Sequence, residues 1–341
     1  MVRTFTSARI RTVVLSEAER DAVWHLVEQF GSIDPEHEAD RYVRRAQILA
    51  SQLPEHLRSE LLQFRTNGDV EGGLLIRGVP FGIAPSTPAH ADMAIGMRLD
   101  AAKAMSIVGG AAGEQFGFQP ELSGHIIQDI LPVAGFEDTQ QSISSRALLE
   151  LHCETAFADS RADFVGLLCL RADSEQRAST LISTARDALA LLDAQSLSIL
   201  RQPRFKTTVD GSFLRGSGLS GPIAVSPIVV VAGSTDRPRI RCDFAETSGI
   251  DPEAQKAVTD LYHAADHAAR GIRLEPGDLL FIDNHSTFHG RTPFDRTGDG
   301  SDRWLLRMFI ARDLARSIAS RPEAGRIVHI DYEALACSQP V

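Results

Sequence analysis

Two segments far apart in the chain hold the residue types that bind a redox-active metal. Leu149-Glu150-Leu151-His152-Cys153-Glu154 reads as a strand. Side chains alternate across a strand, so His152 and Glu154 project from one face and Cys153 from the other. The second segment, Asp283-Asn284-His285-Ser286-Thr287-Phe288-His289-Gly290-Arg291, brings further imidazoles. Two imidazoles and one carboxylate on one side of an ion are the ligand set of a non-haem iron(II) oxygenase. Three positions then stay open for cosubstrate, substrate and dioxygen. A lone His-x-Glu says little, because most such pairs in a chain of this length bind nothing.

The weight comes from the stretch after His289. In Asp302-Arg303-Trp304-Leu305-Leu306-Arg307-Met308-Phe309-Ile310, two arginines sit four residues apart in an apolar run. On a strand that spacing places both on one face. A surface strand with two solvated arginines, or a helical pair, is the plain alternative. Inside a barrel, the two would be carboxylate clamps, since the guanidinium fork matches a carboxylate in two-point contact.

The elements that must position these residues change character along the chain. The first hundred residues read helical. Ser16-Glu17-Ala18-Glu19 is a capping box, and Val23, Leu26, Val27 and Phe30 follow helical spacing. Leu57, Leu61 and Phe64 mark a second helix after Pro54. Thr87-Pro88 resembles a helix start that opens a third helix toward Ile107. Leu74 to Val79 is a strand candidate. From about residue 113 strands take over: 125–131, 148–154, 163–171, 223–231, 237–244, 279–282 and 304–310. Phe164 to Leu170 is apolar on both faces, as a strand inside a core should be. Helices are expected over 184–192 and 252–270. Many short strands with a few helices outside them suggest a sandwich or jelly-roll barrel. Two stretches look mobile, 155–163 directly after the ligand strand and the Gly/Ser-rich 210–221. A lid there would shield reactive chemistry from water.

Composition narrows the function class. The chain has 341 residues, 43% hydrophobic and 23% charged, enough for a large core. A net charge of −10 argues against nucleic acid as a partner. No apolar run is long enough to span a membrane. The N-terminus, Met1-Val2-Arg3-Thr4-Phe5-Thr6, lacks a signal-peptide core, so a cytoplasmic location is expected. Cys153, Cys169, Cys242 and Cys337 form no Cys-x-x-Cys pair and suggest neither a zinc knuckle nor a disulfide framework. Nothing in the pattern selects an oligomeric state.

Taken together, the motifs resemble the clavaminate synthase-like group of iron(II)/2-oxoglutarate oxygenases, which includes hydroxylases of free arginine, lysine and asparagine. The matching text is Glu150 to Phe157, Asp163 to Arg171, Asp283-Asn284, His289-Gly290-Arg291-Thr292-Pro293-Phe294 and Asp299 to Arg307. The resemblance runs from about residue 70 to 315. It implies a mainly β fold with surrounding helices (α+β) and a double-stranded β-helix (jelly-roll) core over 113–315. A mostly helical part, 1–110, would pack on this core in one oxygenase domain spanning 1–341.

The resemblance also implies roles. His152, Glu154 and His289 would bind Fe(II). Arg303 would take the distal carboxylate of 2-oxoglutarate, supported by the Thr180 hydroxyl. Arg307 would bind the α-carboxylate of an amino-acid substrate, Glu121 its α-amine and Asp243 its polar end. With O2 as the second cosubstrate, the expected reaction is hydroxylation at Cβ or Cγ of a lysine, arginine, ornithine or asparagine type of amino acid, releasing succinate and CO2. The same chemistry can end in desaturation or cyclisation of a modified amino acid. The chain departs from the group at Ser286, where relatives usually carry Arg, and in Ala158-Asp159-Ser160. It departs again at Arg241, which takes a same-face position beside Asp243. These changes leave the iron chemistry intact and weigh against arginine as substrate. A metal-binding barrel without oxygenase activity is the alternative from another class; Arg303 and Thr180 argue against it.

Overall fold

The computed structural model describes residues 5–219 and 221–336; the readings above that touch residues 1–4, Ser220 and Cys337 lie outside these. The first third is helical because its apolar residues recur at three- and four-residue intervals. Strand β1 (Arg11–Val14) leads into helix α1 (Glu17–Glu28). Ser16 and Glu19 form the expected capping box, and Val23, Leu26 and Val27 bury the apolar face. Helix α2 (Ala39–Ala50) starts without a capping side chain, so no sequence signal marks its start. Helix α3 (Glu55–Asn67) buries Leu57, Leu61 and Phe64. Strand β2 (Gly73–Arg77) follows.

The helix expected to open at Thr87-Pro88 begins only at Asp100, as α4 (Asp100–Ala112), after two 3₁₀ turns. Thr87 is a tertiary tether instead of a cap. Its amide donates to the Gly300 carbonyl at 2.8 Å and its hydroxyl to the Asp302 carbonyl at 2.6 Å.

Beyond residue 113 the chain runs through β3 (Glu114–Phe118), β4 (Gln128–Ile130), β5 (Leu149–His152), β6 (Phe164–Arg171) and β7 (Thr180–Thr184). Helices α5 (Ala185–Leu189) and α6 (Ala194–Leu200) come next, then β8 (Phe205–Thr208) and α7 (Gly211–Gly216). Strands β9 (Ala224–Ile228), β10 (Val231–Gly233), β11 (Pro238–Ile240) and β12 (Thr247–Gly249) are short. Helix α8 (Pro252–Ala268) precedes β13 (Arg270–Ile272), β14 (Leu279–Asp283), β15 (Thr287–Arg291) and β16 (Trp304–Ala311). Strand β17 (Ile327–Val328) and helix α9 (Tyr332–Ala336) close the described chain.

Eight strands form the major sheet in the order β1-β2-β14-β6-β16-β3-β17, with β4 also paired to β16. A second sheet has the order β13-β7-β15-β5, and small sheets β12-β8-β9 and β10-β11 flank it. Strand alternation divides the major sheet between two cores. Phe164, Leu168, Phe281, Trp304, Leu306, Met308 and Ile310 pack with α1 to α4. Val165, Leu167, Leu280, Ile282, Leu305 and Phe309 pack with Leu151, Leu181, Ile182 and Phe288 of the four-stranded sheet. Being buried on both faces explains the unbroken apolar run of β6. It also decides where β16 sends its arginines: with Trp304, Leu306 and Met308 on the helical side, Arg303 and Arg307 go to the space between the sheets. The fold is thus a mixture of helices and sheets with charged residues enclosed between the sheets. Among the described residues no helix is long and apolar enough to cross a membrane.

Candidate metal centre and substrate cavity

Strand β5 ends at His152, two residues short of Glu154. Pairing nevertheless carries on through the next residue, whose amide donates to the Cys242 carbonyl at 2.8 Å, and Cys153 is fully buried as expected. Glu154 itself lies in the turn that follows. His152 is in register with His289 on β15, and their rings are 4.3 Å apart between centroids. Gly290 permits this closeness, because a Cβ there would stand 2.5 Å from the Leu149 carbonyl oxygen. One ligand atom from each of His152, Glu154 and His289 falls within 4.8 Å of the others.

The protonation states suit a cation. His152 Nδ1 donates to the Glu150 carbonyl at 2.8 Å, leaving Nε2 free for a metal. Burial, reinforced by His152, pushes the His289 pKa down to about 4. Among the described residues His289 Nδ1 is buried without a hydrogen-bond partner, and its Nε2 is 3.5 Å from Glu154. Burial alone would raise the Glu154 pKa, but Arg307 and the two imidazoles override it and hold the carboxyl well below the usual range. A His289 imidazole held neutral by burial, the His152 Nε2 left open, an ionised carboxylate and an unsatisfied ring nitrogen make a donor set that fits a divalent metal.

The triad stands where two cavities meet. The smaller, about 60 Å³, is lined by Thr180, His289, Arg291, Arg303, Leu305 and Arg307 among others. Thr180 lies on strand β7, opposite Arg291 in register, and does not open a helix. Arg303 is buried and, among the described residues, has no hydrogen-bond or ion-pair partner; the Phe294 ring is 5.8 Å from its guanidinium. Burial lowers its pKa. Its neighbour Arg291 differs, donating to the carbonyls of Ser144, Ser145 and Ala147. Burial, with Arg303 close by, lowers the Arg291 pKa to about 9.

The larger cavity, about 450 Å³, is lined by Glu121, His152, Glu154, Asp210, Phe213, Asp243, Glu246 and Arg307 among others. Arg307, the expected α-carboxylate clamp, is ion-paired within the chain. It donates to Glu121, to Glu154 at 3.1 Å, and through Nε and a terminal nitrogen to Gln128 Oε1 at 2.9 and 2.6 Å. The second oxygen of Glu121 and the amide nitrogen of Gln128 are buried without hydrogen-bond partners among the described residues. Burial, partly opposed by Arg307, raises the Glu121 pKa. Asp243 borders the cavity and is bridged to His152 along the backbone. It makes no bond to Arg241, which turns away to the carbonyls of Ala156 and Phe157 and to Asp159. Burial raises the Asp243 pKa to about 6, and that of Glu246 to about 7.

Two loops differ from their sequence reading. In segment 155–163 all residues but Asp159 and Ser160 are buried, so it forms packed wall. Within 210–221, residues Gly211–Gly216 are helical, and Phe213 stacks edge-on against Phe118 and Phe157 at 5.4 and 5.0 Å. Sequence reading gives no role to Gln128, Asn284 or Arg291. Arg291 and Asn284 sit inside the motifs quoted above, whereas Gln128 has no signal beyond being an amide in an apolar stretch.

Residues 50–309 match the model of the taurine catabolism dioxygenase TauD, TfdA family. The chain belongs to that family, within its clavaminate synthase-like group of iron(II)/2-oxoglutarate-dependent oxygenases. It is 37% identical over 278 residues to the L-asparagine oxygenase of Streptomyces coelicolor, covering 81% of each chain. To clavaminate synthase 2 of Streptomyces clavuligerus it is 34% identical over 309 residues, covering 90% of this chain and 94% of that one. A crystal structure of asparagine oxygenase with Fe(II), 2S,3S-3-hydroxyasparagine and succinate superposes with a TM-score of 0.87 at 33% identity, over 94% of this chain and 99% of that one.

Proposed function

We propose that this chain is an iron(II)- and 2-oxoglutarate-dependent dioxygenase that hydroxylates an unactivated Cβ or Cγ of a free polar L-amino acid, with release of succinate and carbon dioxide. The observation that carries this reading is Arg303. A buried guanidinium with no counter-ion is costly to keep. It lines the same small cavity as His289, so a dicarboxylate that reaches the metal with one end meets Arg303 with the other.

In this reading His152, Glu154 and His289 hold iron(II), and the Thr180 hydroxyl joins Arg303 at the distal carboxylate of 2-oxoglutarate. When bound, iron and 2-oxoglutarate supply the activation of dioxygen; the protein supplies position and a dry enclosure. Arg307 takes the α-carboxylate of the substrate and Glu121 its ammonium. The substrate carboxylate then replaces Glu121 as a partner of Arg307, while Gln128 keeps the guanidinium plane fixed. Asp243 meets the polar end of the side chain, which suits lysine, arginine, ornithine or asparagine. A head group fixed beside Glu154 leaves Cβ or Cγ nearest the metal. We read the two facing sheets as a double-stranded β-helix (jelly-roll) core inside a single oxygenase domain. The 1–110 part packs on it, α7 covers the larger cavity, and the enzyme works on a small molecule in the cytoplasm.

The test is succinate release with iron(II), 2-oxoglutarate and ascorbate against a panel of free L-amino acids, with mass detection of one added oxygen. Stimulation by one polar amino acid is expected. Iron binding without any succinate would overturn the reading.

A further inference from the structure

Glu154 is the one member of the triad that no strand holds. Strand β5 stops at His152, and Thr155 takes a left-handed φ of +57°, a conformation uncommon for a β-branched residue. Among the described residues no main-chain group bonds to the Glu154 amide or carbonyl. Both are taken by one side chain. Asn284 Oδ1 accepts from the Glu154 amide at 2.7 Å, and Asn284 Nδ2 donates to the Glu154 carbonyl at 3.0 Å. The same nitrogen donates its second hydrogen to the Ala162 carbonyl at 2.9 Å. Asn284 is fully buried, and both ends of its amide are in use.

Asn284 is itself held. Its backbone amide donates to the Asp163 carbonyl at 3.0 Å. The Asp163 carboxylate accepts from Arg312 at 3.1 Å and Arg316 at 2.6 Å and lies 3.1 Å from His285 Nε2. Arg161 donates to His285 Nδ1 at 2.8 Å. The turn between β14 and β15 is thus fastened to both ends of the 154–163 segment, and the strand leaving that turn carries His289.

We propose that Asn284 is the positioning residue of the metal carboxylate: it sets the Glu154 backbone and ties it to the turn that leads into the strand bearing His289. This rests on the metal reading above. An amide is the one side chain that offers an acceptor and two donors in a plane. Alanine leaves the Glu154 amide and carbonyl without partners, and aspartate restores only the acceptor.

The test uses Co(II), titrated into chelator-treated apo protein and read by visible absorption, with an apo thermal melt for each variant. The proteins are wild type, Asn284→Ala, Asn284→Asp and Gln115→Ala. Gln115 is an equally buried amide that bonds the Ser106 carbonyl at 2.8 Å between β3 and α4. Asn284→Ala is expected to weaken Co(II) binding about 10- to 100-fold and to alter the cobalt spectrum. Asn284→Asp should fall between it and wild type, and Gln115→Ala should bind as wild type does. Asn284→Ala binding within about threefold of wild type, or Gln115→Ala losing as much, would overturn the proposal. If Asn284→Ala does not fold, Asn284→Asp decides: wild-type affinity and spectrum overturn the proposal, and a weakened site supports it. Failure of wild type to bind Co(II) would instead sink the metal reading itself.

Discussion

Arg303 and Arg307 share one face of one strand and differ in every other respect. Among the described residues Arg303 has no hydrogen-bond or ion-pair partner, whereas Arg307 is held by Gln128, Glu121 and Glu154. Removing Arg303 should therefore act on one ligand. A charge-assisted hydrogen bond contributes about 1.5–3 kcal/mol, so Arg303→Ala should raise the KM for 2-oxoglutarate by roughly 10- to 100-fold. The amino-acid KM should barely move. Arg303→Lys should recover part of the loss, because lysine keeps the charge without the two-point fork. Arg307→Ala should raise the KM for the amino acid far more than that for 2-oxoglutarate; steady-state kinetics with each ligand varied would show equal effects if the assignment is wrong. Because Arg307 also contacts Glu154, this variant should bind iron more weakly as well. His152→Ala should abolish iron-dependent turnover, and retained activity would contradict the triad.

At the scale of elements, β16 is the piece most legible in the sequence. Its strict alternation of large apolar residues against Arg303, Leu305, Arg307 and Phe309 becomes two faces in two cores. Thr180 to Thr184 is harder, since threonine serves strands and helix caps alike: the segment pairs with β13 and β15, and its last residue, Thr184, also caps α5. The Thr87-Pro88 signal fails for a related reason: the carbonyls of Gly300 and Asp302, far along the chain, take the threonine that a cap would use. Helix α7 is too short to stand alone and depends on Phe213 packing into Phe118 and Phe157. Truncating a buried Phe to Ala costs about 3–5 kcal/mol where the site cannot collapse. Here that loss should detach the cover locally. Phe213→Ala should raise the amino-acid KM and speed proteolytic cleavage within 210–221 while global unfolding shifts little. Unchanged cleavage would show that α7 does not rely on this contact.

Across the whole molecule, the interior between the sheets carries charge that water would otherwise solvate, and this links stability to pH. His285 is buried, and burial pushes its pKa down to about 4. The unfolded chain takes up that proton near pH 6.5, before the folded protein does. The stability contribution of neutral His285 is therefore complete above pH 6.5 and is lost as pH falls toward 4. At pH 5 the loss is about 2 kcal/mol. Urea unfolding of chelator-treated protein at pH 7 and pH 5 should reveal it, and His285→Gln should remove that share of the pH dependence. Equal pH dependence in the two proteins would refute the link. His289 titrates in the same direction but is common to both proteins.

The sequence by itself determined the chemistry and the class: the spacing of His152 and Glu154, the His289-Gly290-Arg291 text and the paired arginines of β16 survive as a buried cluster. The arginine spacing on β16 is local, because alternation on a strand follows from backbone geometry alone. The tertiary structure decided which groups are free and which are paired. Arg303 and Arg307 look alike in sequence, yet only the enclosure by Glu121, Gln128 and Glu154 makes one a held residue and the other an open one. Glu154 stands in a turn, not on a strand, and its backbone amide and carbonyl are bonded by Asn284, from the turn between β14 and β15. Asp243 and Arg241 are two residues apart in sequence but part company in space: Arg241 turns to the carbonyls of Ala156 and Phe157 and to the exposed Asp159 carboxylate, while Asp243 stays at the wall of the larger cavity. Partners far apart in the chain meet only when the sheets close on each other, and no local pattern records that meeting.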